Sequence, residues 1–123
     1  MNVSVFHPSA FVWASPHGVV DVQAGKSLLG DIAALAEPLE RFEVLIDLRK
    51  SEAQLNADEL WELAASLVCY RGTFLRRTAI LCPPRQYEQA RRFTLMAASH
   101  GFARIRPFVG YEDAVHWLIA GTD

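Results

Sequence analysis

At 123 residues, 51% hydrophobic and 21% charged, the chain has the make-up of one ordinary globular domain that buries a core without disulfide staples. Those fractions and a net charge of −2 exclude a disordered chain and argue against a nucleic-acid binder. No apolar run approaches the roughly 20 residues of a membrane span, and Met1-Asn2-Val3-Ser4-Val5-Phe6 lacks the basic leader and long apolar core of a signal peptide, so a cytoplasmic protein with no stable membrane span is expected.

Val3 and Val5 alternate with polar residues, and Phe11 and Trp13 do so again after His7-Pro8-Ser9. This predicts one or two opening strands, antiparallel and at one side of a sheet, followed by a turn at Ser15-Pro16-His17-Gly18. Val22, Leu29, Ile32, Ala33 and Ala36 share one face of a first helix that begins at Asp21 or Gly25 and ends near Pro38. Val44-Leu45-Ile46-Asp47-Leu48-Arg49 reads as the central strand, buried on both faces, with Asp47 and Arg49 bringing the chain back to water. Asn56 caps a second helix and Glu59 completes a capping box; Asp58 and Glu59 suit the positive end of its dipole. Leu60, Leu63, Ala64 and Leu67 form its inner stripe, and Gly72 is expected to end it.

Thr78-Ala79-Ile80-Leu81-Cys82 is a second buried strand, stopped by Pro83-Pro84, which opens a third helix with Ala90, Phe93, Ala97 and Met96 facing inward. Gly101 is its C-terminal cap. Ala103-Arg104-Ile105-Arg106 alternates as an edge strand, and Tyr111 to Ala120 forms a closing helix with Ala114, Trp117 and Leu118 buried, ended by Gly121. Strand and helix alternate, which means an α/β domain: a mixed sheet of four to five strands, the later ones parallel, flanked by about four helices.

Candidate chemistry is sparse. Gly25-Lys26-Ser27 imitates the end of a phosphate-binding loop, but the glycine that lets such a loop wrap phosphates is Val20 here, which leaves nucleotide binding through a degenerate P-loop a remote alternative. Asp47 has no acidic pair on an earlier strand to hold a metal beside it, and reads as an aspartate that holds a loop or a helix N-terminus. His7, His17, His100 and His116 have no metal-ligand spacing. Ser9, Ser15, Ser51, Ser66 and Ser99 lack a nucleophile elbow. Cys69 and Cys82 read as two buried, reduced thiols. Trp13, Trp61 and Trp117 are explained equally by core packing and by a ligand pocket. Residues 1–70 carry ten acidic side chains against four basic, whereas residues 71–106 carry eight arginines against Glu88 alone. An anionic partner is conceivable there; pairing of the two halves with each other is the favoured reading.

Three stretches carry a family resemblance. Val44–Arg49 looks like an apolar strand ending in Asp-Leu-Arg; Thr78-Ala79-Ile80-Leu81 followed by Ala90-Arg91-Arg92-Phe93 looks like the next strand and an Ala-Arg-x-Phe helix; Phe108 to Leu118 looks like a closing Phe-x-x-x-x-x-Ala-x-x-Trp-Leu. In order and spacing, over roughly residues 40–120, they resemble the SpoIIAA-like proteins, relatives of the STAS domain known from anti-sigma-factor antagonists. The resemblance implies a small domain without catalytic activity or cofactor, acting as a protein-interaction or regulatory module, with carriage of a lipophilic small ligand as the alternative. In antagonists of this kind a serine at the start of the helix after the Asp-Leu strand is phosphorylated. Here that place is Asn56-Ala57-Asp58, which has no hydroxyl. The expected partner surface, for another protein or a second copy, is the loop before Asn56 and the outer face of the second helix: Arg49, Asn56, Asp58 and Trp61.

Overall fold

The computed structural model describes residues 3–6 and 11–120. Two short strands open the chain, β1 (Val3–Phe6) and β2 (Phe11–Ala14), paired antiparallel. Gly18, with φ at +78°, turns the chain into β3 (Gly18–Val20). α1 (Val22–Ala36) starts where the Asp21 carboxylate accepts the Ala24 N–H at 2.8 Å. β4 (Glu43–Asp47) and β5 (Ser51–Ala53) follow, then α2 (Ala57–Ser66), a 3-10 turn over Leu67–Tyr70 and one turn of helix, α3 (Arg71–Phe74). β6 (Thr78–Leu81), a 3-10 turn at Pro84–Gln86, α4 (Tyr87–Ser99), β7 (Ile105–Phe108) and α5 (Tyr111–Ala120) complete the chain.

The main sheet has the order β1-β2-β4-β6-β7, and every pairing but β1–β2 is parallel. β4 is central: Val44 lies beside Val12 on one side and Thr78 on the other. Alternation along the strands sends Val12, Val44, Ile46 and Ile80 into the larger core, with Leu28, Leu60 and Phe93 of α1, α2 and α4. It sends Phe11, Leu45, Ala79 and Leu81 to the opposite face, under Ala114 and Leu118 of α5. β3 and β5 form a separate two-stranded parallel sheet.

The α/β architecture agrees with the sequence expectation, and so does the α2 capping box: Asn56 Oδ1 accepts the Glu59 N–H at 2.8 Å, and Glu59 Oε1 accepts the Asn56 N–H at 3.0 Å. Gly101 adopts φ of +96° after α4, as a helix-ending glycine does. Several expectations need correction. β2 runs parallel to β4, so only β1 is antiparallel. Asp47 does not return the chain to water; it is 4% exposed and is the last residue of β4. Gly72 does not end α2 but lies inside α3, because α2 tightens into the 3-10 turn at Leu67. That tightening also turns Cys69 outward, so only Cys82 is a buried thiol; both cysteines are free. The last strand begins two residues later than expected, at Ile105, and Trp117 is half-buried rather than buried. The break at His7-Pro8-Ser9 and the helix end at Gly121 lie outside the described residues.

Candidate functional site

An apolar cavity of about 80 Å³, partly open to solvent, lies between the main sheet and its helical layer. Ile46 and Ile80 form its floor, Leu28 of α1, Leu60 and Leu63 of α2 and Phe93 of α4 its sides, and Val20 and Ala53 of the two-stranded sheet its far wall. Gly25 on α1 faces Leu63: a Cβ there would stand 3.1 Å from both Leu63 methyl carbons, so the missing side chain lets α1 and α2 close on each other. Ile46 and Ile80 are each the residue before the last of their strands, so the cavity lies over the carboxyl-terminal part of β4 and β6.

Among the described residues two polar side chains line it, Gln86 from the 3-10 turn that leads into α4 and Gln89 from the first turn of α4. Gln86 is buried and fully used: its Nε2 donates to the Ser51 carbonyl at 3.0 Å and its Oε1 accepts the Ala53 N–H at 3.1 Å. Gln89 donates from Nε2 to the Ala53 carbonyl at 3.3 Å, while its Oε1 is buried with no hydrogen-bond partner among the described residues. Sequence reasoning missed both. The signal was present: Gln86, Gln89, Ala90 and Phe93 follow the i, i+3, i+4, i+7 spacing of an inward stripe.

The expected partner residues do not form one site. Arg49 folds back on Asp47, its Nε and Nη2 donating to the carboxylate at 2.9 and 2.8 Å and its backbone N–H at 3.1 Å. Its guanidinium lies over the Tyr111 ring, 5.3 Å from the centroid, which puts it on the α5 side of the sheet. Burial opposes ionisation of Asp47, yet the Arg49 hydrogen bonds and charge, with a contribution from the Trp13 indole, outweigh it and lower the carboxyl pKa. Asp47 therefore holds the loop after β4. Asn56, the cap of α2, and Asp58 and Trp61 within it are each exposed, with the Trp61 ring 4.7 Å from that of His100.

Gly25-Lys26-Ser27 lies within α1, and Lys26 pairs with Glu62 of α2, so this segment makes no loop around a phosphate. The arginines of 71–106 are engaged in several ways, and the charges of Arg76 and Arg77 act on Glu43 of the acidic half. Arg91 pairs with Glu88 of its own helix, and Arg71, Arg76 and Arg106 lie over the rings of Phe102, Phe42 and Trp117. Arg76 does reach the acidic half, donating to the Glu40 carbonyl at 2.8 Å.

No protein-family model and no curated protein matches the chain. A solved structure does: an uncharacterized protein from the DUF3478 family with a SpoIIAA-like fold, from Shewanella loihica PV-4, with a TM-score of 0.58 over 95% of this chain and 90% of that one. The fold is SpoIIAA-like. Identity between the two is 16%, so the likeness concerns architecture alone. In this SpoIIAA-like domain no helix of the described residues is long and apolar enough to cross a membrane.

Proposed function

We propose that this SpoIIAA-like domain is a non-catalytic binding module that takes a small apolar molecule into the cavity between β4, β6 and the helices. The observation that supports this reading is the cavity itself. Interiors of this kind normally leave few voids larger than a water molecule, and an apolar void that stays dry is a place for an apolar guest. The volume of about 80 Å³ suits the end of an alkyl chain or a few carbon atoms, with the remainder of a longer ligand leaving through the open side. Among the described residues no histidine, carboxylate or thiol lines the cavity, so a guest there meets no acid, base or nucleophile.

Xenon under pressure is the direct test. It should shift the methyl resonances of Leu28, Leu60 and Leu63 in a 13C spectrum and leave those of the α5 side unmoved; unmoved cavity methyls would remove the proposal. Native mass spectrometry of protein taken from its source cell would then show what guest is retained.

A second reading, a protein-interaction or regulatory module acting through α2 and the 3-10 turn after it, is supported by the exposure of Trp61 in the helix, 49%, and of Val68 in the turn, 44%. Capture of a cellular partner that Trp61→Ser abolishes, with unchanged xenon binding, would favour this reading.

A further inference from the structure

Among the described residues that line the cavity, Gln89 carries a polar atom that the fold leaves unpaired, and that atom dictates what the guest must bring. Gln86 has spent both ends of its amide on the backbone of β5. Gln89 has spent Nε2 on the Ala53 carbonyl, and its Oε1 is buried without a partner among the described residues. The amide orientation follows from chemistry: a carbonyl only accepts, so the nitrogen of Gln89 must face Ala53 and the oxygen must face away. The oxygen is closed off as the cavity stands, so a guest's donor reaches it by turning the amide about its 3.3 Å tether to Ala53.

From this we infer that the ligand is a neutral amphiphile whose single polar group is a hydrogen-bond donor, an aliphatic alcohol in the simplest case, with its hydroxyl given to Gln89 Oε1 and its chain laid against Leu28, Leu60 and Phe93. This rests on the cavity being a binding site and adds the chemistry of its polar pole. A fatty-acid carboxylate is the wrong guest. Among the described residues no lysine, arginine or histidine lines the cavity, so the anion would be buried unpaired beside an amide oxygen. An ether or alkane of the same size fills the apolar part but leaves Gln89 unsatisfied, and a buried acceptor without a donor is penalised.

Three probes of matched length separate these cases: octan-1-ol, 1-methoxyheptane and octanoate, titrated into the full chain and followed by chemical shifts of the cavity methyls and of the Gln89 side-chain amide. The alcohol should bind about tenfold more tightly than the ether, as one satisfied hydrogen bond allows, with octanoate weakest and the Gln89 amide shifting with the alcohol alone. In Gln89→Met, which keeps the length of the side chain and removes the acceptor, the alcohol should fall to the affinity of the ether while the ether is held as before. Equal binding of alcohol and ether by the unaltered protein, tightest binding of octanoate, or an alcohol preference that survives Gln89→Met would overturn the inference while leaving the cavity a binding site. If none of the three binds, both readings fall together.

Discussion

Asp47 ends β4 with its carboxylate almost shut off from solvent, and Arg49 turns back two residues later to meet it with both arms of its guanidinium. This local return is why a charged residue is tolerated inside the sheet. The pH consequence has a definite sign. A carboxyl held below the ordinary 3.8 adds stability that is fully present above that value and is lost as pH falls through the lower folded value. Asp47→Asn should therefore cost about 1–2 kcal/mol at neutral pH, the half-exposed arginine limiting the loss. The gap to the unaltered protein should close in urea unfolding run at pH 3 and below; a gap of constant size would contradict the assignment. Glu43, at the other end of the same strand, acts in the opposite direction. Burial raises its carboxyl above the ordinary 4.5 despite Arg76 and Arg77, so its contribution is favourable below that value and lost as pH rises.

Among the elements, α2 has the most local signature, since Asn56 and Glu59 satisfy each other's backbone N–H groups within one turn. Asn56→Ala should lower stability by about 1 kcal/mol in thermal or urea unfolding. Removal of a cap should leave the cavity methyl resonances near their original positions. Where the signature is not local, the sequence reads less well. β3 and β5 are three residues each and pair across more than thirty residues of chain, beyond the reach of any periodicity. β7 contains Pro107, which argues against a strand; at the sheet edge the missing N–H faces no neighbour, and the strand runs through it. Cys69 reads as buried from a helical pattern and its apolar neighbours, whereas the change of backbone to 3-10 at Leu67 is not legible and leaves it exposed. Asp47 reads as exposed because its charge is legible in the sequence and the fold-back of Arg49 onto it is not.

At the scale of the whole molecule, alternation of apolar strands with amphipathic helices was enough to read the α/β class and the central place of residues 44–47. The cavity was not legible, because it is assembled from short contributions of seven separate elements and its polar pole belongs to two glutamines with no motif. The two faces of the sheet are covered unequally. Among the described residues α1, α2 and α4 share one and α5 alone packs against the other, where Trp117 closes the rim against Phe108 at 5.6 Å and lies under the guanidinium groups of Arg77 and Arg106. Arg77 also donates to the Trp117 carbonyl at 2.6 Å. Trp117→Ala should cost about 2 kcal/mol, less than for a fully buried ring, measured by urea unfolding. An unchanged midpoint would mean that the thin side of the sheet does not depend on this residue.

The small parallel pair beside the cavity has a particular construction. β5 meets β3 along one margin, while along the other the chain's own carboxamides from Gln86 and Gln89 take the place of a neighbouring strand. Deuterium uptake at the Ala53 amide should consequently follow release of the Gln86 side chain and run ahead of uptake at amides deep in β4, which await the opening of the whole sheet. That one backbone proton is a built-in gauge of how tightly the cavity's outer wall is fastened.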